Sequence, residues 1–280
     1  MGFSSVDDLV AEITAGKSRK GFFQKVSVNS GAGAAGRLYD LFLATGMPAA
    51  GAYSGAAGSW NSLSRTSAGA LDIGADVTPD TRHITAIGAM TTAATGIGGI
   101  WVLDYLGYHP SMVVTGTAST ISAPTLPRYA TGDGVQVMIV TQTAIGAATP
   151  SLTFTYTNQA GTTGRVATAV TSIANSAVTT QLWGTSGPFL PLAAGDTGVR
   201  ALQSYTLASG TTGTVAAVYV KPLAFIPVPV VNVMSERDML FQLANLPQVQ
   251  DGACLGFVVQ AGGALAASSA FQGYVDLAWG

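Results

Sequence analysis

Between Ser151 and Thr157 every second residue is large and apolar: Leu152, Phe154 and Tyr156 alternate with Thr153, Thr155 and Thr157. A period of two sets one group of side chains on each face of an extended strand, and no helix satisfies it. Val135, Val137 and Ile139 repeat the pattern upstream, and Val199 to Leu207 and Thr214 to Lys221 carry it downstream, joined by a Gly210 to Gly213 turn. Leu255, Phe257 and Val259, then Phe271, Gly273, Val275, Leu277 and Trp279, predict two last strands. Asn158 to Gly161 has the composition of a four-residue turn, which pairs Ser151–Thr157 with Arg165–Val170 as a hairpin. Glycine supplies 35 of 280 residues, against two Glu and four Lys. That balance favours turns and strands over helices. The expected fold is mainly β: an antiparallel β-sandwich, jelly-roll-like, with short flanking helices near both termini.

Charge sets the next limits. Only 9% of residues are charged, where a soluble domain carries about 25%. Disorder is excluded, because 48% of residues are hydrophobic and a disordered chain needs the opposite balance. A net charge of −2 argues against a protein that must neutralise many phosphates. The single Cys254 and two His provide neither a disulfide framework nor a zinc site. Met1 to Asp8 begins acidic and lacks a signal-peptide apolar run, so no export and no membrane are expected. With so few charges, much of the surface is expected to be covered by other subunits.

The chain divides into three parts. Residues 1–72 form an N-terminal helical segment and a Gly/Ala-rich arm, 73–228 the β-sandwich, and 229–280 a short helix and C-terminal strands that complete it. Val6, Leu9, Val10 and Ile13 fall at helical spacing, with Ser5 and Asp8 as a capping start and Gly16 as the stop. A second helix is expected over Arg37–Thr45, and a third from Ser235 to near Asn245. Gly46 to Ala70 has only Tyr53, Trp60 and Leu63 as large anchors, so it is expected to be mobile in a free subunit and docked on a neighbour in an assembly. Pro222, Pro227 and Pro229 exclude a central strand after Lys221.

Chemical motifs are weak. Gly31-Ala32-Gly33-Ala34-Ala35-Gly36 has dinucleotide-loop spacing, yet no acid stands between Asp40 and Asp72 to hold a ribose. Ala11 to Ser18 fits a relaxed phosphate loop, but the residues before Gly16 read as a helix and Glu12 would face phosphate with like charge. His83 and His109 are the only candidate general bases, and both read as turn residues. Asp72, Asp76 and Asp80 lack the spacing of a calcium loop. No catalytic residue, metal or cofactor is therefore expected. Lys17, Arg19, Lys20 and Lys25, interleaved with Phe22 and Phe23, read either as a solvated loop or as an arm that meets an acidic neighbour or packaged nucleic acid.

Leu126 to Val170, beginning Leu-Pro-Arg-Tyr-Ala-Thr-Gly-Asp-Gly, and Gly187 to Leu207 resemble structural proteins encoded in the head-gene modules of tailed bacteriophages. The resemblance implies a virion component, assembled in the host cytoplasm: a capsid decoration or cement protein, or a head-vertex or tail-associated protein. The long spine helix and charged loop of the common coat protein are missing, which favours an accessory role. Its expected partners are copies of itself and the major capsid protein, with no specific nucleic acid. The expected interface is Lys17, Arg19, Lys20, Phe22, Phe23, Tyr53, Trp60 and Leu63. A tail or baseplate component is the alternative within the structural class. A carbohydrate-binding receptor module is the alternative outside it, favoured if Trp60, Trp101 or Trp183 cluster on one face.

Overall fold

The computed structural model describes residues 2–26, 28, 35–92, 97–114, 119–146, 150–171, 180–184, 187–207, 212–242, 246–266 and 269–280. Helix α1 (Val6–Thr14) opens the chain, followed by strands β1 (Ser18–Val26) and β2 (Leu38–Asp40). A 3-10 turn at Leu41–Leu43 leads to β3 (Thr45–Met47), β4 (Asn61–Ser62), β5 (Arg82–Thr91) and the 17-residue β6 (Ile97–Val113). Next come β7 (Ser119–Thr120), β8 (Gln136–Thr143), β9 (Ser151–Asn158), β10 (Arg165–Val166), β11 (Val170–Thr171) and β12 (Val199–Leu207). The last third holds β13 (Thr214–Ile226), β14 (Ser235–Asp238), α2 (Met239–Gln242), β15 (Gln248–Val249), β16 (Leu255–Ala261) and β17 (Phe271–Trp279).

These strands form three sheets, and every ladder between named strands is antiparallel. Sheet A runs β14-β5-β17-β1-β3, with β15 also on β5; sheet C runs β10-β9-β12-β7, with β11 also on β9. The central sheet B runs β2-β16-β6-β13-β8, with β4 also on β6. Residues 180–183 join its two ends. Asp40 N donates to Thr180 O and Leu182 N to Leu38 O, both at 2.9 Å. On the other side Thr141 N donates to Gln181 O at 2.9 Å and Trp183 N to Ile139 O at 2.8 Å. Sheet B is thereby closed into a barrel, and these bonds occupy backbone groups on both of its edges.

Alternation along the barrel strands then sorts side chains into three cores. Leu38, Leu103, Tyr105, Met138, Val140, Leu182, Val218, Val220 and Val258 fill the interior. Their neighbours in sequence point outward. At one end Tyr39, Ile100, Val102, Phe257 and Val259 pack against Phe23, Ile84, Ile87, Val275 and Leu277 of sheet A. At the other end Leu106, Val137, Ile139, Val215, Ala217 and Tyr219 pack against Leu152, Phe154, Tyr156, Leu202 and Tyr205 of sheet C. Two sheets thus lie side by side on one barrel, spanned by the long β6 and β13. Each fully buried Leu, Val, Ile or Phe contributes about 1.5–3 kcal/mol. Gly256 lets β16 lie close over the barrel interior, since a Cβ there would stand 2.6 Å from the Tyr105 ring.

The fold is mainly β with short helices near both termini, as the alternation requires. The first helix starts where Ser5 Oγ accepts from Asp8 N (3.1 Å) and ends at Gly16, whose φ of +85° suits glycine. Ser151–Asn158 pairs with Arg165–Val166 across the predicted turn. Three local expectations are corrected. Arg37–Thr45 is not a helix, because Leu38–Asp40 finds backbone partners on β16 and on residues 180–182, and the Asp40 carboxylate takes the Phe42 N–H. Pro222 does lie in a central strand, opposite Leu103 on β6, yet β8 ends opposite Val220, so on that side the proline has no strand neighbour that would need its N–H. Ser235–Asp238 extends as an edge strand on β5, and only Met239–Gln242 turns helical, with Leu240 N donating to Asp238; the expected end near Asn245 lies outside the described residues. The strands on either side of the Gly210–Gly213 turn belong to different sheets, β12 to sheet C and β13 to sheet B. Residues 210 and 211 of that turn also lie outside the described residues.

Candidate interaction surface

The basic, Phe-bearing run is strand β1, whose register fixes what each residue can do. Gly21, Phe23 and Lys25 face inward while Lys20, Phe22 and Gln24 face out. Phe23 is buried against Phe257, ring centres 4.1 Å apart. The cations are each answered within the chain. Lys17 pairs with Glu12 (3.0 Å) and Asp80 (2.9 Å), Arg19 with Asp72, and Lys20 with Asp276 (3.1 Å) while lying 3.8 Å over the Tyr274 ring. Lys25 is buried, and its Nζ donates to the carbonyls of Ala44 (3.1 Å) and Pro48 (2.7 Å); burial lowers its pKa to about 8. The run is a strand with neutralised charge, not a free basic arm.

On that outward face Phe22 stands beside Tyr274, its register partner on β17. Phe22, Met47, Met234 and Tyr274 rim a shallow groove of about 290 Å³, floored by Phe23 and Gly273. Phe22 is 57% exposed, Met47 53% and Met234 43%. A second apolar strip lies on α1, which packs on β17 yet buries only Leu9 and leaves Val6, Val10 and Ile13 exposed. Burying side chains of this size contributes about 1.5–3 kcal/mol each.

The remaining predicted anchors dock on their own chain. Tyr53 and Leu63 are buried in the barrel interior core, and Trp60 packs on the core under sheet C. The Tyr53 hydroxyl donates to Asp40 Oδ2 (2.5 Å) and Gln142 Nε2 donates to Tyr53 O. Trypsin or chymotrypsin acting on the isolated protein is therefore expected to spare Arg65, Tyr53 and Trp60 until global unfolding, because cleavage needs local opening. Early peptide release from residues 46–70, read by mass spectrometry, would show instead a loosely held arm.

Sequence reasoning missed the buried polar groups under this arm. Asp40, inside the barrel, accepts from Tyr53, from Tyr105 (2.7 Å) and from Phe42 N (2.9 Å). Burial raises its pKa to about 6 against the pull of the tyrosine hydrogen bonds. Asp104 is held by Arg128 through Nε (2.9 Å) and Nη2 (2.8 Å), and it accepts from Cys254 N (3.0 Å). Cys254 is buried, and burial lifts its thiol far above the usual range. His109 gives Gly58 O a 3.1 Å contact and Tyr219 OH one of 3.4 Å; burial lowers its pKa to about 4. His83 contacts Leu246 O at 3.4 Å. Among the described residues no group of three His, Cys, Asp or Glu could hold a metal. Gly31 and Gly33 lie outside the described residues. Lys17 of the relaxed phosphate-loop match follows a helix end rather than a strand. The three tryptophans do not cluster: Trp183 is buried, Trp101 packs on Phe189 and Phe225, and Trp60 sits by His109 and Tyr219.

No known protein family and no characterised protein sequence matches the chain. Solved structures with a weak likeness to it include two from infectious bursal disease virus. One is the structure of infectious bursal disease virus strain Gx, with 9% identity, 93% of this chain and 80% of that one covered, and a TM-score of 0.19. Another is the D431N mutant of that virus's VP2 protein in derived T=1 particles, with 10% identity, coverage of 93% and 77%, and a TM-score of 0.18. Backbones with such scores do not superpose as one fold.

Proposed function

We propose that this protein is a non-enzymatic structural subunit of a viral particle, and that it associates with copies of itself through the outer face of sheet A. The observation that carries the reading is the groove rimmed by Phe22 on β1, Met47 on β3 and Met234 just before β14, three large apolar side chains left exposed around one concavity. Isolated exposed apolar residues are ordinary, whereas a cluster around a concavity marks a contact surface. Its flanking charges are internally paired, Lys20 with Asp276, so the face fits an apolar neighbour and not a nucleic acid. The scarcity of charge in the whole chain supports the same reading, because a subunit covered by neighbours needs few solvating side chains. The buried side chains of Asp40, Asp104 and His109 are occupied with structural hydrogen bonds, and the Cys254 thiol is buried with its pKa raised by burial, which supports a role without catalysis. Placement on the virion, as decoration or cement on a major capsid protein, is supported by the resemblance of Leu126–Val170 and Gly187–Leu207 to phage head-module proteins.

Sedimentation at micromolar concentration is expected to give a mass above 28.2 kDa for the protein as it stands. Phe22→Glu combined with Met47→Glu should shift it to the monomer, with the unfolding transition held within about 1 kcal/mol because both side chains are exposed. A wild-type monomer throughout that range would remove self-association from the reading.

A further inference from the structure

The geometry points to a binding groove for a neutral oligosaccharide at the barrel mouth beside Trp60, a site distinct from the sheet A face. Strand β4 runs along β6 there, with Asn61 opposite Tyr108 and Ser62 opposite Gly107. The groove between β4 and residues 67–68 holds about 560 Å³, within the ~300–1,000 Å³ of small-molecule sites. Phe42, Leu63 and Tyr108 form an apolar floor. Around them stand Trp60, Asn61, Ser62 and Ser67, and no charged residue lines the space.

The polar groups in this lining have capacity to spare. The Asn61 amide nitrogen is used on Ser59 O (3.1 Å) and Ser59 Oγ (3.2 Å), which fixes the side chain and leaves its carbonyl oxygen as an acceptor. Ser67 Oγ accepts from Ser64 N (3.1 Å) and keeps its proton to donate. The Ser62 hydroxyl and the Trp60 indole N–H have no protein partner among the described residues. Trp60 itself is held rigidly. It rests on Gly107, where a Cβ would come within 2.4 Å of the indole, and it meets Tyr219 edge-on at 5.2 Å and His109 at 5.4 Å. A fixed aromatic ring costs little entropy to present.

A half-buried indole with an amide oxygen, two hydroxyls and an N–H, but no charge, matches a pyranose, which offers C–H faces to the ring and hydroxyls to the rim. An anionic ligand would lose water here without gaining a counter-charge. A peptide strand would need a longer edge than the two residues of β4.

The test is titration with soluble neutral di- and trisaccharides built from glucose, galactose, mannose and N-acetylglucosamine, followed through the Trp60 indole N–H resonance. At least one sugar is expected to shift that resonance saturably at millimolar concentration or below. Ser62→Arg, an exposed position, should lower that affinity at least about tenfold with an unchanged unfolding curve, and Ser67→Arg serves as a second block from the opposite wall. If no sugar of the panel moves the resonance, if both blocking variants bind as the wild type does, or if sialylated analogues bind more tightly than neutral ones, the assignment is overturned. Oligomeric state is measured separately, so this result stands or falls apart from the sheet A contact.

Discussion

Arg128→Met is expected to destabilise the protein by about 3–5 kcal/mol, the largest effect of any single polar substitution argued from this fold. Arg128 is 7% exposed and Asp104 fully buried, so the lost guanidinium leaves a carboxylate with neither water nor a counter-ion. The same side chain also donates to the carbonyls of Tyr105 (3.0 Å) and Leu63 (3.3 Å). It therefore ties the arm to β6, and Asp104, which accepts from Cys254 N, links the same point to the start of β16. The pair need not itself be strongly stabilising, because removing two charges from water offsets most of their attraction. That separates the prediction into two measurable parts. By urea denaturation Arg128→Met alone should fall by the full amount, while Asp104→Leu with Arg128→Met should recover at least about 1 kcal/mol of it. A single variant within about 1 kcal/mol of wild type would mean that water reaches Asp104 and that the arm is held by its apolar anchors alone.

The second large effect is a pH dependence with an unusual sign. A carboxylate is normally stabilised on folding, but burial raises Asp40 from the ordinary 3.8 to about 6. The folded state then keeps a proton that the unfolded chain has already released. The stability this contributes is complete below pH 3.8 and is lost as pH rises through 6, a change of about 3 kcal/mol for two pKa units. His109 acts in the opposite sense, since burial lowers it from 6.5 to about 4, so its contribution is present above 6.5 and lost as pH falls towards 4. The two slopes oppose one another between pH 4 and 6 and flatten the wild-type profile. Asp40→Asn keeps a group that can accept from Tyr53 and Tyr105 but cannot ionise. The difference in unfolding free energy between Asp40→Asn and wild type should grow in favour of the variant by up to about 3 kcal/mol from pH 3.5 to 7. A difference that stays constant over that range would show that Asp40 titrates as it does in water.

Secondary structure was legible wherever a residue's neighbours in sequence decide its conformation. The alternation at Ser151–Thr157 works because a strand buried on one face tolerates only one register, and Leu152, Phe154 and Tyr156 all reach the core. The first helix was legible because its cap, period and stop are local. Leu38–Asp40 was not, since its apolar residues sit at helical and strand spacing alike. The choice fell to hydrogen-bond partners on β16 and at residues 180–182, which are remote in sequence. Pro222 misled for a related reason: a proline bars a central strand only where a neighbour would need its N–H, and where β8 ends is a tertiary fact.

The candidate surfaces divide in the same way. Phe22 and Trp60 drew attention in the sequence as large residues in segments otherwise rich in charge or glycine, yet only the folded chain shows which side of each strand is wet. One residue of register separates exposed Phe22 from buried Phe23 and sends them to opposite faces of sheet A. What the sequence determined by itself was the class of fold, many short antiparallel strands with little charge, because period and composition are properties of the local chain. The closure of sheet B by residues 180–183, the docking of the arm on that barrel and the burial of Asp40 were decided by tertiary structure alone. Each depends on backbone and side-chain partners far apart in sequence, and no local pattern encodes which distant edge a strand will meet.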